Sequence, residues 1–383
     1  MHILIGAREL GLDLAHDLEE KRVVLLDGTR LDQFSSKITD QDLVYLTTER
    51  YLPSLMSKLE GDSRKLQIEL LKDKYLFRML LQSEYPSFEF GLASQWSDFL
   101  SRSRSSLLII KPRKGFFGIG VKKVTREELL SSGESILQSL GDEIKSRAGA
   151  GLGSSFSMTT SRDQSESKGS FSWLDSLLIE ECIPGSEFSV DMYYDSKGSP
   201  VILNICAHPE HERGEFSNAL YYSSYESFTE VYEGVNRLFS EFNRRFQAKS
   251  FPIHAEFKIS AEGKIVPVEF NPLRFGGFGL SDLPYYAYGF NPIDYFFNDV
   301  RPDWNKIWES RRNLFYGWVL KYNPLSPGLD YRPDHVSFKR LFSKVLNYRE
   351  IDPRAHPVSG VAYVEESSRE DLLQVLRFDF NTV

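Results

Sequence analysis

Residues 253–277, IHAEFKISAEGKIVPVEFNPLRFGG, constrain this chain more than any other stretch. Ile253, Ala255, Phe257 and Ile259 alternate with His254, Glu256 and Lys258, the period of a half-buried strand. A turn-type cluster, Ser-Ala-Glu-Gly-Lys, leads into a second alternation. There Val266, Val268 and Phe270 are apolar, while Pro267, Glu269 and Asn271 share the other face. The pattern predicts a β-hairpin with one dry face and one carboxylate-bearing face. A four-residue loop at 261–264 would pair Ile259 with Val266, Glu256 with Glu269 and His254 with Asn271. Carboxylates opposed across a strand pair sit about 5 Å apart at Cβ and repel each other. A hard divalent cation would neutralise them, since Mg²⁺ takes a few carboxylate oxygens together with substrate phosphates. Taken alone, the hairpin reads more simply as a solvated face whose acids splay apart.

The 383 residues suffice for two or three domains with ample core. A net charge of −8 argues against a general nucleic-acid binder, which neutralises phosphates with clustered Lys and Arg. An anionic ligand must then be met by a local basic site. The two cysteines, Cys182 and Cys206, lie in apolar, strand-like runs and read as buried reduced thiols. No apolar run reaches the length of a membrane span. The N-terminal Met-His-Ile-Leu-Ile-Gly-Ala reads as a short strand followed by charge, not a signal peptide, so a cytoplasmic location is expected, with no membrane partner.

In chain order, strand (2–7), helix (9–20), strand (22–27) and a third apolar run (42–47) predict a small parallel sheet. Its Gly6–Gly11 spacing has neither the Gly-Lys-Ser/Thr of a P-loop nor a GxGxxG. Leu66, Leu70, Leu71, Leu76, Phe77, Leu80 and Leu81 have helical spacing over 64–82, interrupted by Lys72, Asp73 and Lys74, which read alone as a wet side. A short helix is expected at 96–102. Residues 107–123, LLIIKPRKGFFGIGVKK, read as strand, glycine loop (112–120) and strand. Glycines at 115, 118 and 120 allow backbone amides to approach phosphates, and Lys111 would add a compact positive charge. The plainer reading is a hairpin turn with solvent lysines. Thr125 to Glu128 has capping-box form and starts a short helix. Residues 145–172 are Gly/Ser-rich and poor in aliphatics, and read as a mobile segment.

Residues 173–194 hold two strands around Pro184-Gly185, and the sheet continues at 201–206. His208 and His211 fall in a polar loop with no third soft ligand nearby, so surface histidines are expected. An amphipathic helix covers 228–246, and the segments 217–232 and 285–297 are aromatic. Strands are expected at 314–322 and 358–365, and Ser368 to Asp371 caps a last helix.

The order of these parts resembles the ATP-grasp superfamily of the carboxylate–amine ligase type, over roughly 73–279. The resemblance rests on Asp73-Lys74, Lys111-Pro with its glycine loop, LIEECIPGSEF at 178–188 and Glu269-Phe-Asn271-Pro. It implies an α/β (α+β) chain: a small parallel-sheet N-terminal domain (1–73), an ATP-grasp domain of two subdomains sandwiching the nucleotide (74–300) and a C-terminal subdomain (301–383). It also implies ATP and Mg²⁺ (or Mn²⁺) as cofactors, small-molecule carboxylate and amine substrates, and a homodimer as in many relatives.

By position, the resemblance implies that Lys74 and Lys111 hold the phosphates, with Gly115, Gly118 and Gly120 in the loop closing over them. Glu180, with the backbone of Glu181 and Ile183, would face adenine, and Glu187 the ribose. Glu256, Glu269 and Asn271 would hold the metal. Arg274 would steady the transferring phosphoryl group or the substrate carboxylate, so Arg274 and Lys111 are the expected catalytic residues. Two departures stand out: Leu273 intervenes between Asn271-Pro and Arg274, and bulky Phe116 and Phe117 occupy the glycine loop. The implied reaction is ligation of a carboxylate to an amine through an acyl phosphate, releasing ADP and phosphate, on amino acids or a peptide-like natural product. The alternatives are another ATP-grasp phosphoryl-transfer or carboxylase-type enzyme, or a catalytically silent nucleotide-binding module. The retained pair of repelling acids and both lysines argue against the silent module.

Overall fold

A computed structural model describes residues 1–6, 14, 17–18, 23–34, 37–59, 61–115, 120–147, 173–209, 220–322, 332–354 and 358–377. Most of the expected helix at 9–20 (all but 14, 17 and 18), Gly11, Gly118, His211 and nearly all of the Gly/Ser-rich segment lie outside these residues, as do Phe116 and Phe117. The chain divides into two compact units, one of residues 1–59 and 185–383 and the other of residues 60–184. The expected segments 1–73, 74–300 and 301–383 cut across these units.

The unit 60–184 is a four-stranded antiparallel sheet with helices. Its strands β4 (Phe90–Leu92), β5 (Leu107–Pro112), β6 (Lys122–Thr125) and β7 (Leu177–Glu181) run in the order β4-β7-β5-β6. The expected single helix over 64–82 is instead two, α1 (Ser63–Lys72) and α2 (Lys74–Leu81). Asp73 breaks it: its backbone is extended, with φ −95° and ψ 105°, and its carboxylate accepts hydrogen bonds from Tyr75 N and Leu76 N. A short acceptor side chain thus caps the second helix at the cost of continuing the first. Helix α3 (Trp96–Arg102) falls where expected.

The helix expected to be short after Thr125 runs 22 residues as α4 (Arg126–Arg147), with Ser132 out of helical geometry at φ −140°. Its capping box forms, Glu128 Oε2 accepting from Thr125 N at 2.7 Å and Thr125 Oγ1 from Glu128 N at 3.1 Å. Residues 145–147 belong to this helix, not to the segment read as mobile. Leu137, Leu140 and Ile144 pack on Leu108, Ile110 and Ile179 of the sheet.

The other unit holds two sheets. The first is parallel, in the order β2-β1-β3, from β1 (His2–Ile5), β2 (Val23–Leu26) and β3 (Leu43–Leu46). The second is an eight-stranded sheet. It contains β8 (Ser186–Tyr194), β9 (Pro200–His208), β10 (Leu220–Ser224), β11 (Phe251–Ile259), β12 (Ile265–Pro272), β13 (Phe315–Tyr322), β14 (Lys344–Glu350) and β15 (Val358–Glu366). The order is β12-β11-β8-β9-β10-β13-β15-β14 with every pairing antiparallel, so the C-terminal strands extend the sheet that carries the central hairpin. β14 was not foreseen.

Helix α5 (Tyr225–Phe246) buries Phe228, Val231, Val235, Phe239, Phe242 and Phe246, one stripe at helical spacing. Phe239 and Phe242 meet Phe270 of the hairpin's dry face at ring distances of 5.3 and 5.2 Å. The parallel sheet joins the hairpin through Leu46 N to Leu273 O at 2.7 Å, and Leu273 N reaches Pro252 O at 2.8 Å.

Candidate active site

In the unit 60–184, Lys111 and Glu180 sit on neighbouring strands, Lys111 opposite Leu178 and Glu180 two residues further on the same face. Lys111 Nζ lies 2.6 Å from Glu180 Oε1, and Arg78 Nε lies 2.7 Å from Glu180 Oε2. All three are buried. Burial alone would raise the Glu180 carboxyl, but Arg78 and Lys111 hold it down at about 2. Burial pushes the Lys111 ammonium below the usual lysine range; Glu180 pulls it up, and Arg78 and Lys74 repel it. Glu180 therefore fixes two cations, one of which, Arg78, stacks over Phe88 at 4.4 Å and had no sequence signal beyond its helical position.

Lys74 is placed by the same break that makes Asp73 a cap. Its N–H donates to Arg113 O at 2.9 Å and its Nζ to Gly115 O at 3.1 Å, at the start of the glycine loop. Arg113 returns a two-point contact to Asp73, at 3.0 and 2.6 Å. Gly120 has φ +73°, and a Cβ there would meet Ile144 at 2.7 Å, so this glycine also lets the loop pass close to α4. Glu181 spends its amide on Glu89 O at 2.9 Å, and its carboxylate accepts from Ser105 Oγ at 3.2 Å; Ile183 is buried in the turn after β7.

In the other unit, the hairpin pairs Glu256 with Glu269 and His254 with Asn271, as the alternation predicts. Nearer the turn the register differs: Ile259 pairs with Ile265, and Ser260 N donates to Lys264 O. The loop is three residues, 261–263, with Gly263 at φ +78° in the left-handed position such loops need. The register moves by one at a bulge, where Glu256 and Phe257 face Glu269 and Pro267 and Val268 is the extra residue. That bulge returns both acids to one face, and it leaves Val268 half-buried instead of on the dry side.

The acid face is only partly solvated: His254 and Asn271 are each 4 % exposed, and Glu256 and Glu269 are half-buried. Burial and the Glu269 charge raise the Glu256 carboxyl, with His254 opposing. Asn271 Nδ2 donates to Glu269 Oε1 at 3.1 Å. His254 Nδ1 lies 2.7 Å from Asp191 Oδ1, and its Nε2 lies 3.6 Å from Glu256 Oε1. Burial would lower this imidazole, but Asp191 and Glu256 raise it to about 9. Asp191 Oδ1 also accepts Gly276 N at 2.7 Å, tying the glycines after β12 to the sheet. Asp191 was missed because a single acid in an alternating strand carries no signal of its partners.

Arg274 donates from Nε and Nη2 to Glu49 Oε1, at 3.1 and 2.9 Å, and from Nη1 to Phe275 O at 2.9 Å. Burial opposes its charge, but Glu49, Glu269 and Glu256 stabilise it. The inserted Leu273 takes φ +58°, turning the chain so that Arg274 follows directly on the acid face. Glu187 is held by His208 Nδ1 at 2.8 Å, with Lys258 Nζ at 3.9 Å. His208 is not a surface residue: it is the last residue of β9, buried, and stacked on Tyr221 at 4.1 Å.

Among the described residues no group of three or more His, Cys, Asp or Glu side chains is arranged to hold a metal. The expected set is two carboxylates and an amide oxygen, a donor set of the hard type that suits Mg²⁺ completed by phosphate oxygens. The raised Glu256 carboxyl is the mark of an acid pair that a cation would relieve. No helix of the described residues is long and apolar enough to cross a membrane.

The sequence model of the ATP-grasp domain matches residues 153–282, a stretch that begins after Lys74, Lys111 and the glycine loop. No curated protein matches the sequence. Among solved structures, the chain is similar to the L-amino acid ligase of Bacillus licheniformis, at 15% identity and a TM-score of 0.64 over 98% of this chain and 96% of that one. It is similar to the biotin carboxylase domain of Hydrogenobacter thermophilus 2-oxoglutarate carboxylase, solved with MgADP and bicarbonate, at 12% identity and a TM-score of 0.61 over 98% and 88%. It is also similar to the N5-carboxyaminoimidazole synthetase of Staphylococcus aureus with ADP, at 12% identity and a TM-score of 0.59 over 99% and 96%. At these identities the likeness is one of fold. Residues 153–282 thus match an ATP-grasp domain, and the chain shares the fold of these ATP-grasp enzymes.

Proposed function

We propose that the protein is an ADP-forming ligase that joins a carboxylate to an amine, with amino acids among its substrates. The observation that carries this reading is the half-buried acid pair Glu256–Glu269 with Asn271 and Arg274 on one strand-end face. Likeness to the L-amino acid ligase supports amino acids as the substrate class. In this reading 74–300 carries the nucleotide chemistry, flanked by 1–73 and 301–383.

Lys74 and Lys111 bind the α- and β-phosphates, with Gly115, Gly118 and Gly120 in the covering loop. Glu180 orients Lys111; the backbone of Glu181 and Ile183 meets adenine, and Glu187 the ribose hydroxyls. Glu256, Glu269 and Asn271 would hold Mg²⁺ (or Mn²⁺), which would neutralise negative charge in the transferring group. A substrate carboxylate oxygen attacks the γ-phosphorus, the bond to the β,γ-bridging oxygen breaks, and ADP leaves. Arg274 stabilises charge on the transferring phosphoryl oxygens. The amine nitrogen then attacks the acyl carbon, loses a proton, and inorganic phosphate leaves.

Hydroxylamine tests the acyl phosphate. Incubated with MgATP and an amino-acid pool, the protein should form amino-acid hydroxamates in step with ADP. ADP formation with no hydroxamate would refute the acyl intermediate. A second reading, carboxylation through carboxyphosphate, draws on the likeness to the biotin carboxylase domain. It requires that ADP release depend on bicarbonate.

A further inference from the structure

The turn after β12 runs between two guanidinium groups. A Cβ on Gly277 would lie 3.7 Å from Arg274 Nη1, and a Cβ on Gly279 would lie 2.8 Å from Arg349 Nη2. Arg349 comes from β14, far along the chain. Across β14 and β15 the register sets Asn347 opposite Tyr363 and Arg349 opposite Val361. Trp318 of β13 lies opposite Tyr363, and Tyr221 of β10 opposite Trp318. Tyr221 in turn stacks on His208, which holds Glu187. Opposed residues share a face, so Arg349 stands on the face of the sheet that carries Glu187, Glu256 and Glu269.

Its surroundings are built. Asp282, 1 % exposed, faces Arg349 Nη1 at 3.9 Å and accepts from Ser281 Oγ at 3.1 Å. The Tyr363 hydroxyl reaches Gly279 O at 2.8 Å and Asp282 Oδ2 at 3.3 Å, with Tyr286 against its ring at 4.6 Å. Gly279, at φ +85°, admits both the Tyr363 hydroxyl and the guanidinium, which any side chain there would displace. The Arg349 side chain is 28 % exposed and makes no hydrogen bond to the described residues, so its planar fork of donors is unspent.

We propose that Arg349, backed by Asp282 and Tyr363, binds the free carboxylate of the amine substrate, making the nucleophile an amino acid and not a simple amine. This rests on the ligase reading above. The fork matches a carboxylate in two-point geometry. Asp282 behind it cancels one charge, which suits a monoanion over a phosphate dianion. Gly277 and Gly279 are at most about 7 Å apart along the chain. A carboxylate held at Arg349 therefore places an amine one carbon away in reach of an acyl group held at Arg274.

The test compares wild type, Arg349→Met, Arg349→Lys and Arg349→Met/Asp282→Asn. The double variant leaves no buried acid unpaired if the single one fails to fold. The binding probes are an equimolar pool of L-amino acids and the same pool as amides, read as thermal shifts with MgADP present. Initial rates of ADP release with MgATP form the second arm. Wild type should respond to the acids and weakly to the amides. The Met variants should lose that preference, raising KM for the acids roughly 10- to 100-fold, as for one lost charge-assisted hydrogen bond. KM for ATP should not change, and Arg349→Lys should fall between. No shift with the acids in wild type, or equal effects of the substitutions on acids and amides, would overturn the site. Carboxylate-specific binding lost in the Met variants but without any ADP release would keep the site and overturn the ligase reading alone.

Discussion

Replacing Glu180 by Gln should cost about 3 kcal/mol of local stability at neutral pH. The carboxyl is fully buried and held from its ordinary 4.5 down to about 2 by Arg78 and Lys111. At about 1.36 kcal/mol per pH unit, that difference is worth roughly 3 kcal/mol. Breaking a buried ion pair from one side typically costs about 3–5 kcal/mol, because the remaining charge is left uncompensated. The lower figure applies, since Lys111 is already pushed below the usual lysine range and can shed its proton when Glu180 is gone.

The sign with pH follows from a folded value below the unfolded one. The contribution is complete above pH 4.5 and disappears as pH falls toward about 2. Two compact units need not unfold together, so hydrogen exchange at the amides of β5 and β7 is the suitable assay. The variant should exchange roughly 100-fold faster there at pH 7, and the gap to wild type should narrow below pH 4.5. A gap below tenfold, or one independent of pH, would refute the account of the Arg78–Glu180–Lys111 triad.

Asp73→Ala removes the cap of α2 and the two-point partner of Arg113, and should cost about 1–2 kcal/mol for the cap alone, seen as a lower Tm. Gly279→Ala forces a side chain into a left-handed position against Tyr363 and Arg349, and should destabilise by about 1–3 kcal/mol in urea unfolding. Lys111→Ala should abolish the rise in Tm that MgATP gives wild type; an undiminished rise would remove Lys111 from the nucleotide site. Glu269→Ala should eliminate turnover while the circular dichroism spectrum and Tm persist, and unchanged turnover would end the metal assignment.

The hairpin was legible because strand alternation is a local, period-two signal, and the opposed acids follow from it. The bulge at Val268 was not, since an extra residue in one strand leaves the apolar–polar alternation looking intact. Asp73 illustrates the converse: read as a wet interruption in one helix, it is the acceptor that makes two. His208 was assigned to a surface loop because its partners, Glu187 and Tyr221, come from neighbouring strands. Arg78, Asp191, Glu49 and Arg349 escaped for the same reason, being single charged residues whose roles are set by pairing across the fold. The fold class could be read from the order of four motifs, whereas the extension of the sheet by β13 to β15 required strand pairings that no local pattern encodes.

The most direct measurement of the central claim is the identity of the nucleotide product. The protein is incubated with MgATP and pools of carboxylic acids and amines, separately and combined, and ADP, AMP, phosphate and pyrophosphate are assayed. The ligase account predicts ADP and phosphate in equal amounts, released fully only when acid and amine are both present. AMP with pyrophosphate, or ADP release that requires bicarbonate and no amine, would contradict it.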